Sequence, residues 1–281
     1  MKQTYSLHKI TNTDEFGFNP ADYSRFKFGD GPVAKAFGTA LAKGFIEKHL
    51  LNESVKRQFV VISSPYAFVP TATFAMKNYF VFELNHWLAE NDFPVVQEAK
   101  VHRTITYKED YGNLDADKRL SLIANDSFHI DKDFLKNKSL IFLDDIRITG
   151  SHEKMIIKML DEYKLTNDLF MLYYAELVNQ EIPPNIENTL NYFKVKSIFD
   201  LDDIIKGEKF YINTRIVKYI LNCDFVSFSV FIKDQTHSFI QNLYHMAIGN
   251  GYHTFDNYSR NLNYIKEYLF VNKPKFIVDG N

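Results

Sequence analysis

The chain has 281 residues, of which 33 are basic and 35 acidic, so its formal net charge is −2. This balance provides no basic field that would recruit nucleic acid, and we predict no nucleic-acid partner. A single cysteine, Cys223, excludes an internal disulfide, and no signal peptide or run of 18 apolar residues is present, so we expect a cytoplasmic protein without a membrane partner.

The N-terminal part of the chain predicts an arm, two helices and a strand. Residues 1–30 are polar and aromatic and indicate an arm that holds one short strand or none. Apolar residues then recur every four positions, which predicts an amphipathic helix over residues 33–50. Residues 59–62 are a short apolar run typical of a buried strand. Residues 71–90 are apolar nearly all round and predict a largely buried helix.

Residues 95–108 mix β-branched and basic side chains and lead into an exposed acidic turn. We predict a strand near residue 95. The charges that follow, Lys100, Arg103 and Lys108, fit either a functional basic loop or a solvated hairpin with surface charges. A short helix is predicted over residues 115–125.

The most informative stretch is residues 140–151, which a helical pattern follows over residues 152–164. Four apolar residues in a row predict a strand buried on both faces, as in the middle of a parallel sheet. Two carboxylates, Asp144 and Asp145, end this strand, and a Thr-Gly-Ser turn leads into the helix. The arrangement is half of a βαβ unit, and open α/β sheets bind ligands at the carboxyl ends of such strands.

The turn before this helix predicts an anion site. The backbone N–H groups of residues 148–152 converge at the helix N-terminus, where a macrodipole of about half a positive charge favours a phosphate. The glycine of the turn lets the backbone approach the anion, and its two hydroxyls add donors. The ionised aspartates only accept hydrogen bonds, which suits hydroxyl groups beside the phosphate. A ribose 5-phosphate meets both demands.

Strands near residues 59, 95, 140, 169 and 193, interleaved with helices, predict a doubly wound parallel α/β sheet, whose last strand, over residues 193–198, lies at an edge. We assign residues 1–199 to this core and residues 200–281 to a helical C-terminal subdomain that is a candidate cap over the site. The helices predicted in that subdomain span residues 200–206, 214–222, 229–248 and 257–270, with a break at 249–251.

Aromatic and basic residues follow this break: Tyr252, His253, Tyr258 and Arg260. They fit either the lining of an aromatic acceptor pocket or ordinary packing and surface positions. We favour the second interpretation, because aromatic residues at helical spacing usually belong to a core.

Residues 140–151 resemble the phosphoribosyl-diphosphate (PRPP) signature of type I phosphoribosyltransferases, in which an apolar strand, two acids and two or three mostly apolar residues precede a Thr/Ala-Gly-Ser/Thr loop. A further run resembles the competence-factor (ComF-like) branch of that family: Arg119, Leu122, Asn125 and Phe128. Together with residues 24–30 and 146–153, it is most similar to ComF-like members associated with bacterial tellurium-resistance gene clusters. The resemblance covers roughly residues 20–200.

The resemblance implies a type I phosphoribosyltransferase fold and a role for each matching residue. Asp144 and Asp145 would hold the ribose 2′- and 3′-hydroxyls. The loop for the 5′-phosphate corresponds to Ile148, Thr149, Gly150, Ser151 and His152. Many members have threonine at the last of these positions, so the last donor here is either a backbone amide or the imidazole.

The resemblance also implies a pyrophosphate site. Ser63 and Ser64 resemble in position the short pyrophosphate loop that follows the first core strand, and the alternative is a plain strand-to-helix turn. In the family a basic loop closes over the reacting centre and excludes water. The basic residues that would neutralise the leaving pyrophosphate are Lys100 and Arg103, with Lys108 and Arg119 as further candidates.

The implied activity is Mg²⁺-dependent transfer of ribose 5-phosphate from PRPP to a nitrogen of a base-like acceptor, with release of pyrophosphate; a homodimer is compatible with it. Mg²⁺ would be held mainly by the diphosphate and the ribose hydroxyls. The histidine spacing matches no protein-bound zinc site, and no residue is an evident general base.

Several alternatives stay open at this stage. The first is a non-catalytic PRPP or nucleotide sensor that acts through a partner. A haloacid-dehalogenase phosphatase would need a second aspartate at position 146, which is isoleucine. A response-regulator receiver is about half as long, and its acidic pair follows the first strand. The acids can also simply cap the next helix.

Overall fold

The computed structural model describes residues 2–103 and 128–271. A five-stranded sheet organises the fold, with strand order β1-β7-β6-β2-β3, and every neighbouring pair runs parallel. Helices pack on both faces of this sheet, and a helical part follows it at the C-terminus. The predicted parallel α/β class and the helical C-terminal part are therefore confirmed.

The strands are β1 (Lys2–Ile10), β2 (Phe59–Ser63), β3 (Gln97–Glu98), β4 (His102–Arg103), β5 (Phe128–His129), β6 (Ser139–Arg147) and β7 (Leu169–Leu177), and β4 and β5 form a separate antiparallel pair. The first helices are α1 (Pro20–Lys27), α2 (Gly31–His49), α3 (Ala72–Glu90), α4 (Lys132–Leu135), α5 (Ser151–Glu162) and α6 (Ile186–Asn191). The C-terminal part contains α7 (Asp202–Ile205), α8 (Thr214–Leu221), α9 (Phe225–Lys233), α10 (His237–Gly249) and α11 (Asp256–Val271), with 3₁₀ turns at Ile198–Leu201 and Tyr252–Thr254.

Alternation along β6 directs its side chains into two layers. Ile141 and Leu143 pack in the apolar cluster that contains α2 and α3, whereas Leu140 and Phe142 pack in the cluster that contains α5. All four side chains are buried, as the apolar run predicts. The alternation ends near the carboxyl end of β6, where Ile146 packs in the same cluster as Ile141 and Leu143.

The N-terminal segment differs from the prediction of an arm. Lys2–Ile10 is a nine-residue edge strand that pairs in parallel with β7. The segment is too polar to be recognised as a strand from its sequence. In the structure two of its polar residues, Lys2 and Lys9, form ion pairs with Glu153 of α5 and Glu176 of β7. These partners lie about 150 residues or more away along the chain, so local composition carried no signal of the strand.

Two further predictions are wrong. No strand forms over residues 193–198, because β1 occupies the sheet edge beside β7 and Ile198 begins a 3₁₀ turn within the C-terminal core. The single helix predicted over residues 229–248 is two helices, α9 and α10. The chain breaks between them where Thr236 Oγ1 caps α10 by accepting a hydrogen bond from the N–H of Phe239 at 3.2 Å.

The other predicted helices and the break at 249–251 are present, with boundaries that shift by a few residues. The helix predicted over residues 115–125 lies outside the described residues. Among residues 2–103 and 128–271, no helix is both long and apolar enough to cross a membrane.

Candidate functional site

The two acids at the end of β6 point to opposite faces of the sheet, because side chains alternate along a strand. Asp144 shares its face with Phe142 and lies toward α5, where it contacts His152. Asp145 shares its face with Leu143 and contacts residues of α1 and α3. The two carboxylates share one partner, the Thr73 hydroxyl, and otherwise contact different residues.

Asp144 lies where β2, β6 and α5 meet. Its Oδ1 accepts hydrogen bonds from Ser64 Oγ at 2.6 Å and Thr73 Oγ1 at 3.3 Å, and its Oδ2 lies 2.9 Å from His152 Nδ1. Burial by itself would raise the pKa of Asp144, but the hydrogen bonds from His152 and Ser64 outweigh burial and hold this pKa well below its usual range. Asp144 is consequently an ionised hydrogen-bond acceptor.

A small cavity lies beside the Asp144 carboxylate. Asp144, Ser64 and His152 contribute its polar lining. The rest of the lining is apolar or aromatic and consists of Pro65, Phe142, Leu143, Ile156, Met171 and Tyr173. The first acid of the pair therefore faces a cavity at the carboxyl end of the strand, where the sequence predicts a ligand.

Asp145 is 6 % exposed and is bonded to protein at both carboxylate oxygens. Its Oδ2 accepts a hydrogen bond from the Tyr23 hydroxyl at 2.5 Å and forms an ion pair with Lys27, and its Oδ1 accepts from Thr73 Oγ1 at 3.1 Å. Burial, followed by the charge of Asp145, raises the pKa of Tyr23 well above its usual range, so the phenol stays protonated. Asp145 thus ties α1 and α3 to β6, and its contact with ribose stays a prediction.

The turn between β6 and α5 keeps its backbone donors free. Within the described part of the chain, the N–H groups of Thr149, Gly150 and Ser151 donate no hydrogen bond, and no side chain caps α5. The two hydroxyls of the turn bond to each other at 2.7 Å. Gly150 has φ +70°, in the left-handed region that favours glycine. A helix N-terminus with free amides is a ready-made anion site, and Ile148 and His152, both half-buried, flank it.

Arg147, which sequence reasoning missed, braces this turn. Its Nε donates to Glu153 Oε2 at 2.7 Å and its Nη1 donates to Glu176 Oε1 at 2.6 Å. A Cβ atom placed on Gly150 would lie 3.3 Å from Arg147 Nη2, so the guanidinium lies against the turn. One sequence signal was available. Arg147 is a single basic residue at the end of a mostly apolar strand, and a partly buried cation there needs carboxylate partners.

Both predicted pyrophosphate serines lie near the cavity-facing acid. Ser63 is the last residue of β2, and the parallel register places it opposite Leu143 of β6. The next residue of each strand is then Ser64 and Asp144, which the hydrogen bond between them joins. The structure therefore brings together residues that are 80 positions apart in the chain.

Lys100 lies over the loop that follows β2. Its Nζ donates to the carbonyl oxygen of Ala67 at 2.7 Å and lies 4.0 Å from the centroid of the Tyr66 ring. Burial lowers the pKa of Lys100. The backbone of Arg103 is in β4. Two further basic candidates lie outside the described residues, Lys108 and Arg119.

The aromatic residues after the 249–251 break are packing residues, as favoured above. Tyr252 and Tyr258 are 0 % and 2 % exposed and belong to the C-terminal core. His253 and Arg260 are exposed on the surface.

A comparison with protein-family models shows which family this sequence matches. The model described as PRTase ComF-like matches residues 1–265, which include the whole sheet, the glycine turn and most of the C-terminal helices. The chain belongs to the ComF-like phosphoribosyltransferase family.

Solved structures similar to this ComF-like chain include hypoxanthine phosphoribosyltransferases. One from Staphylococcus aureus has 13 % identity and a TM-score of 0.29, and the match covers 58 % of this chain and 77 % of that chain. The hypoxanthine-guanine enzyme of L. donovani has 14 % identity and a TM-score of 0.28, with coverage of 53 % and 70 %. A comparison with curated proteins found no match.

In this ComF-like phosphoribosyltransferase, the partners of the second acid also escaped sequence reasoning. Tyr23, Lys27 and Thr73 lie on α1 and α3, far from Asp145 in the chain. The available signal was Lys27 itself, which stands between two phenylalanines that are both buried. A lysine in such a segment needs a carboxylate partner when it is buried.

Proposed function

We propose that the chain binds PRPP with Mg²⁺ at the carboxyl end of β6 and transfers ribose 5-phosphate to a nitrogen of a base-like acceptor, with release of pyrophosphate. The observation that carries this proposal is the juxtaposition of the ionised, cavity-facing Asp144 with the free amides of Thr149, Gly150 and Ser151. An anion site beside a carboxylate that accepts hydrogen bonds suits a ligand in which a phosphate lies near hydroxyl groups.

The proposal gives each residue a role. Asp144 accepts hydrogen bonds from the ribose hydroxyls, and residues 148–152 hold the 5′-phosphate through backbone amides, hydroxyls and the His152 imidazole. Ser63 and Ser64 contact pyrophosphate, together with Lys100 and Arg103 from the segment that follows. Displacement at the anomeric carbon builds positive charge on the ribose, which the negative potential of Asp144 and buried Asp145 stabilises.

Mg²⁺ enters this proposal as part of the substrate. Among the described residues, no group of three His, Cys, Asp or Glu side chains could hold a metal ion. Mg²⁺ generally keeps several waters and binds through substrate phosphates, so we assign the ion to the diphosphate and the ribose hydroxyls. When bound there, it would neutralise charge on the leaving pyrophosphate.

The proposal also covers the division of the chain into domains and its biological setting. Residues 1–199 form the catalytic core, and residues 200–281 cover the site, which the contacts of the C-terminal part with the loop after β2 support. We also propose a cytoplasmic setting, from the single cysteine and the lack of a long apolar run, and a homodimer and a link to tellurium resistance, from the sequence resemblance.

Calorimetry with dissected ligands tests the proposal. We expect the protein to bind PRPP when Mg²⁺ is present, and to bind ribose 5-phosphate without any metal. It should not bind ribose, because the free amides need an anion. Failure of ribose 5-phosphate to bind at millimolar concentration would falsify the proposal. A release assay for pyrophosphate with a panel of purine and pyrimidine bases then separates the enzyme from the sensor, which binds PRPP without turnover.

We expect Gly150→Ala to weaken ribose 5-phosphate binding by about tenfold. The new Cβ strains the turn, and it would lie only 3.3 Å from Nη2 of Arg147, so the guanidinium must shift. Gly17→Ala is the matched control: its φ is +72° and its Cβ would make only an ordinary 3.6 Å contact with His8. Both variants should lose about 1 kcal/mol of unfolding free energy in urea. Equal ligand affinity of the two variants would refute the role of the turn.

A further inference from the structure

The loop between β2 and α3 is held by the C-terminal helical part. Asn250, which lies between α10 and the 3₁₀ turn after it, is 4 % exposed. Its Oδ1 accepts hydrogen bonds from the backbone N–H groups of Phe68 at 3.1 Å and Val69 at 2.9 Å. Its Nδ2 donates to the Tyr252 hydroxyl at 2.8 Å. One buried side chain therefore satisfies two backbone donors of the loop.

Two neighbouring contacts reinforce this attachment. The N–H of Thr214 donates to the carbonyl oxygen of Pro70 at 2.9 Å. The Phe68 ring lies so close to Gly249 that a Cβ there would be 2.3 Å from the ring, and Val69 is buried in the C-terminal core. The end of the loop is thus built into the helical part rather than into the sheet.

The start of the same loop belongs to the proposed reacting centre. Ser64 donates to Asp144, and Lys100 donates to the carbonyl oxygen of Ala67. Only a few residues separate these contacts from the Asn250 attachment. A change in the backbone at Phe68 is therefore transmitted to the donors on the pyrophosphate side of the site.

We propose that Asn250 is a positioning residue for pyrophosphate, acting through the loop of residues 64–70. The inference rests on the proposed function, since it takes this loop to be the pyrophosphate loop. Without the Asn250 oxygen, the backbone N–H groups of buried Val69 and of the more exposed Phe68 lose their acceptor, and the loop must move to satisfy the buried donor. The 5′-phosphate turn should keep its geometry, because it is reached through His152 at Oδ2 of Asp144, whereas Ser64 of the loop bonds to Oδ1.

The test measures the affinity of two matched variants for two half-ligands, which are the two parts of PRPP: pyrophosphate and ribose 5-phosphate. Asn250→Ala removes the anchor. Asn261→Ala removes an equally buried asparagine of the same helical part, whose side chain, among the described residues, bonds only to the carbonyl oxygens of Leu221 and Cys223. Pyrophosphate with Mg²⁺ and ribose 5-phosphate are titrated into each full-length protein. We expect Asn250→Ala to weaken pyrophosphate binding by about tenfold and ribose 5-phosphate binding by less than about twofold. Asn261→Ala should change neither.

A conservative variant completes the design. Asn250→Asp keeps an oxygen that accepts from both loop amides, so it should bind pyrophosphate nearly as the unchanged protein does. Where Asn250→Ala does not fold, Asn250→Ser, which shortens the reach of the polar group, is measured instead.

Three results would overturn the inference: unchanged pyrophosphate affinity in Asn250→Ala, equal loss of both ligands, or the same loss in Asn261→Ala. Failure of the proposed function looks different. In that case the unchanged protein binds neither half-ligand, and the inference falls with it.

Discussion

Asp144→Asn is expected to lower the affinity for PRPP by at least about a hundredfold. The asparagine has the same shape but lacks the charge, and hydrogen bonds to a charged acceptor contribute about 1.5–3 kcal/mol each. The amide nitrogen no longer accepts and the remaining oxygen is uncharged, so two such bonds to ribose hydroxyls together lose about 3 kcal/mol, which is about two orders of magnitude in Kd. Calorimetric titration with PRPP and Mg²⁺ measures this difference.

Asp161→Asn provides the control for this experiment. Asp161 is exposed on α5, the same helix whose N-terminus forms the anion site, so its removal alters the charge of the helix but not the site. We expect this variant to bind PRPP normally. If Asp144→Asn also binds PRPP normally while folding as the unchanged protein does, the cavity-facing acid has no role in ribose binding and the proposed function loses its main support.

Lys27→Met is expected to lower the free energy of unfolding by about 3–5 kcal/mol. The Lys27 ammonium is the cationic partner of Asp145, whose carboxylate is 6 % exposed. Methionine preserves the unbranched four-atom stem of lysine but lacks the ammonium, which leaves the buried carboxylate with the hydroxyl donors of Tyr23 and Thr73. The cost is the desolvation of an unpaired charge, and urea denaturation measures it.

The double variant Lys27→Met, Asp145→Asn decides whether charge is the cause. With both charges removed, much of the stability lost in Lys27→Met should return, because no ion is left unpaired. Lys35→Met, at an exposed position of α2, should change stability by less than about 0.5 kcal/mol. A double variant no more stable than Lys27→Met would show that Lys27 acts through packing rather than through its charge.

Local signals predicted the elements whose burial is visible in their own residues. The apolar run of β6 predicts a strand that is covered on both faces. The Thr-Gly-Ser turn needs a glycine because φ at Gly150 is +70°. The edges of the sheet were predicted wrongly. β1 is polar in sequence and residues 193–198 look like a strand, yet the place beside β7 goes to β1, whose lysines find Glu153 and Glu176.

The candidate site divides in the same way. The acids and the turn were predicted from residue types that neighbour each other in the chain, and the two serines from their resemblance in position to the family's pyrophosphate loop. The partners of Asp145, the brace of Arg147 and the anchor of Asn250 were not predicted, since each joins elements far apart in sequence. Contacts of this kind depend on how helices and strands pack, which a window of neighbouring residues does not contain.

The order of amino acids alone was sufficient to predict a parallel sheet, its acidic strand end and the glycine turn, because hydrophobic periodicity and glycine conformation are properties of adjacent residues; phosphate binding at that turn stays a prediction. Packing decided that one acid faces a cavity while the other is sealed against Lys27. It also decided that the helical part holds the loop after β2. Both outcomes follow from desolvation, since a buried charge or amide must find its partner wherever the fold places one.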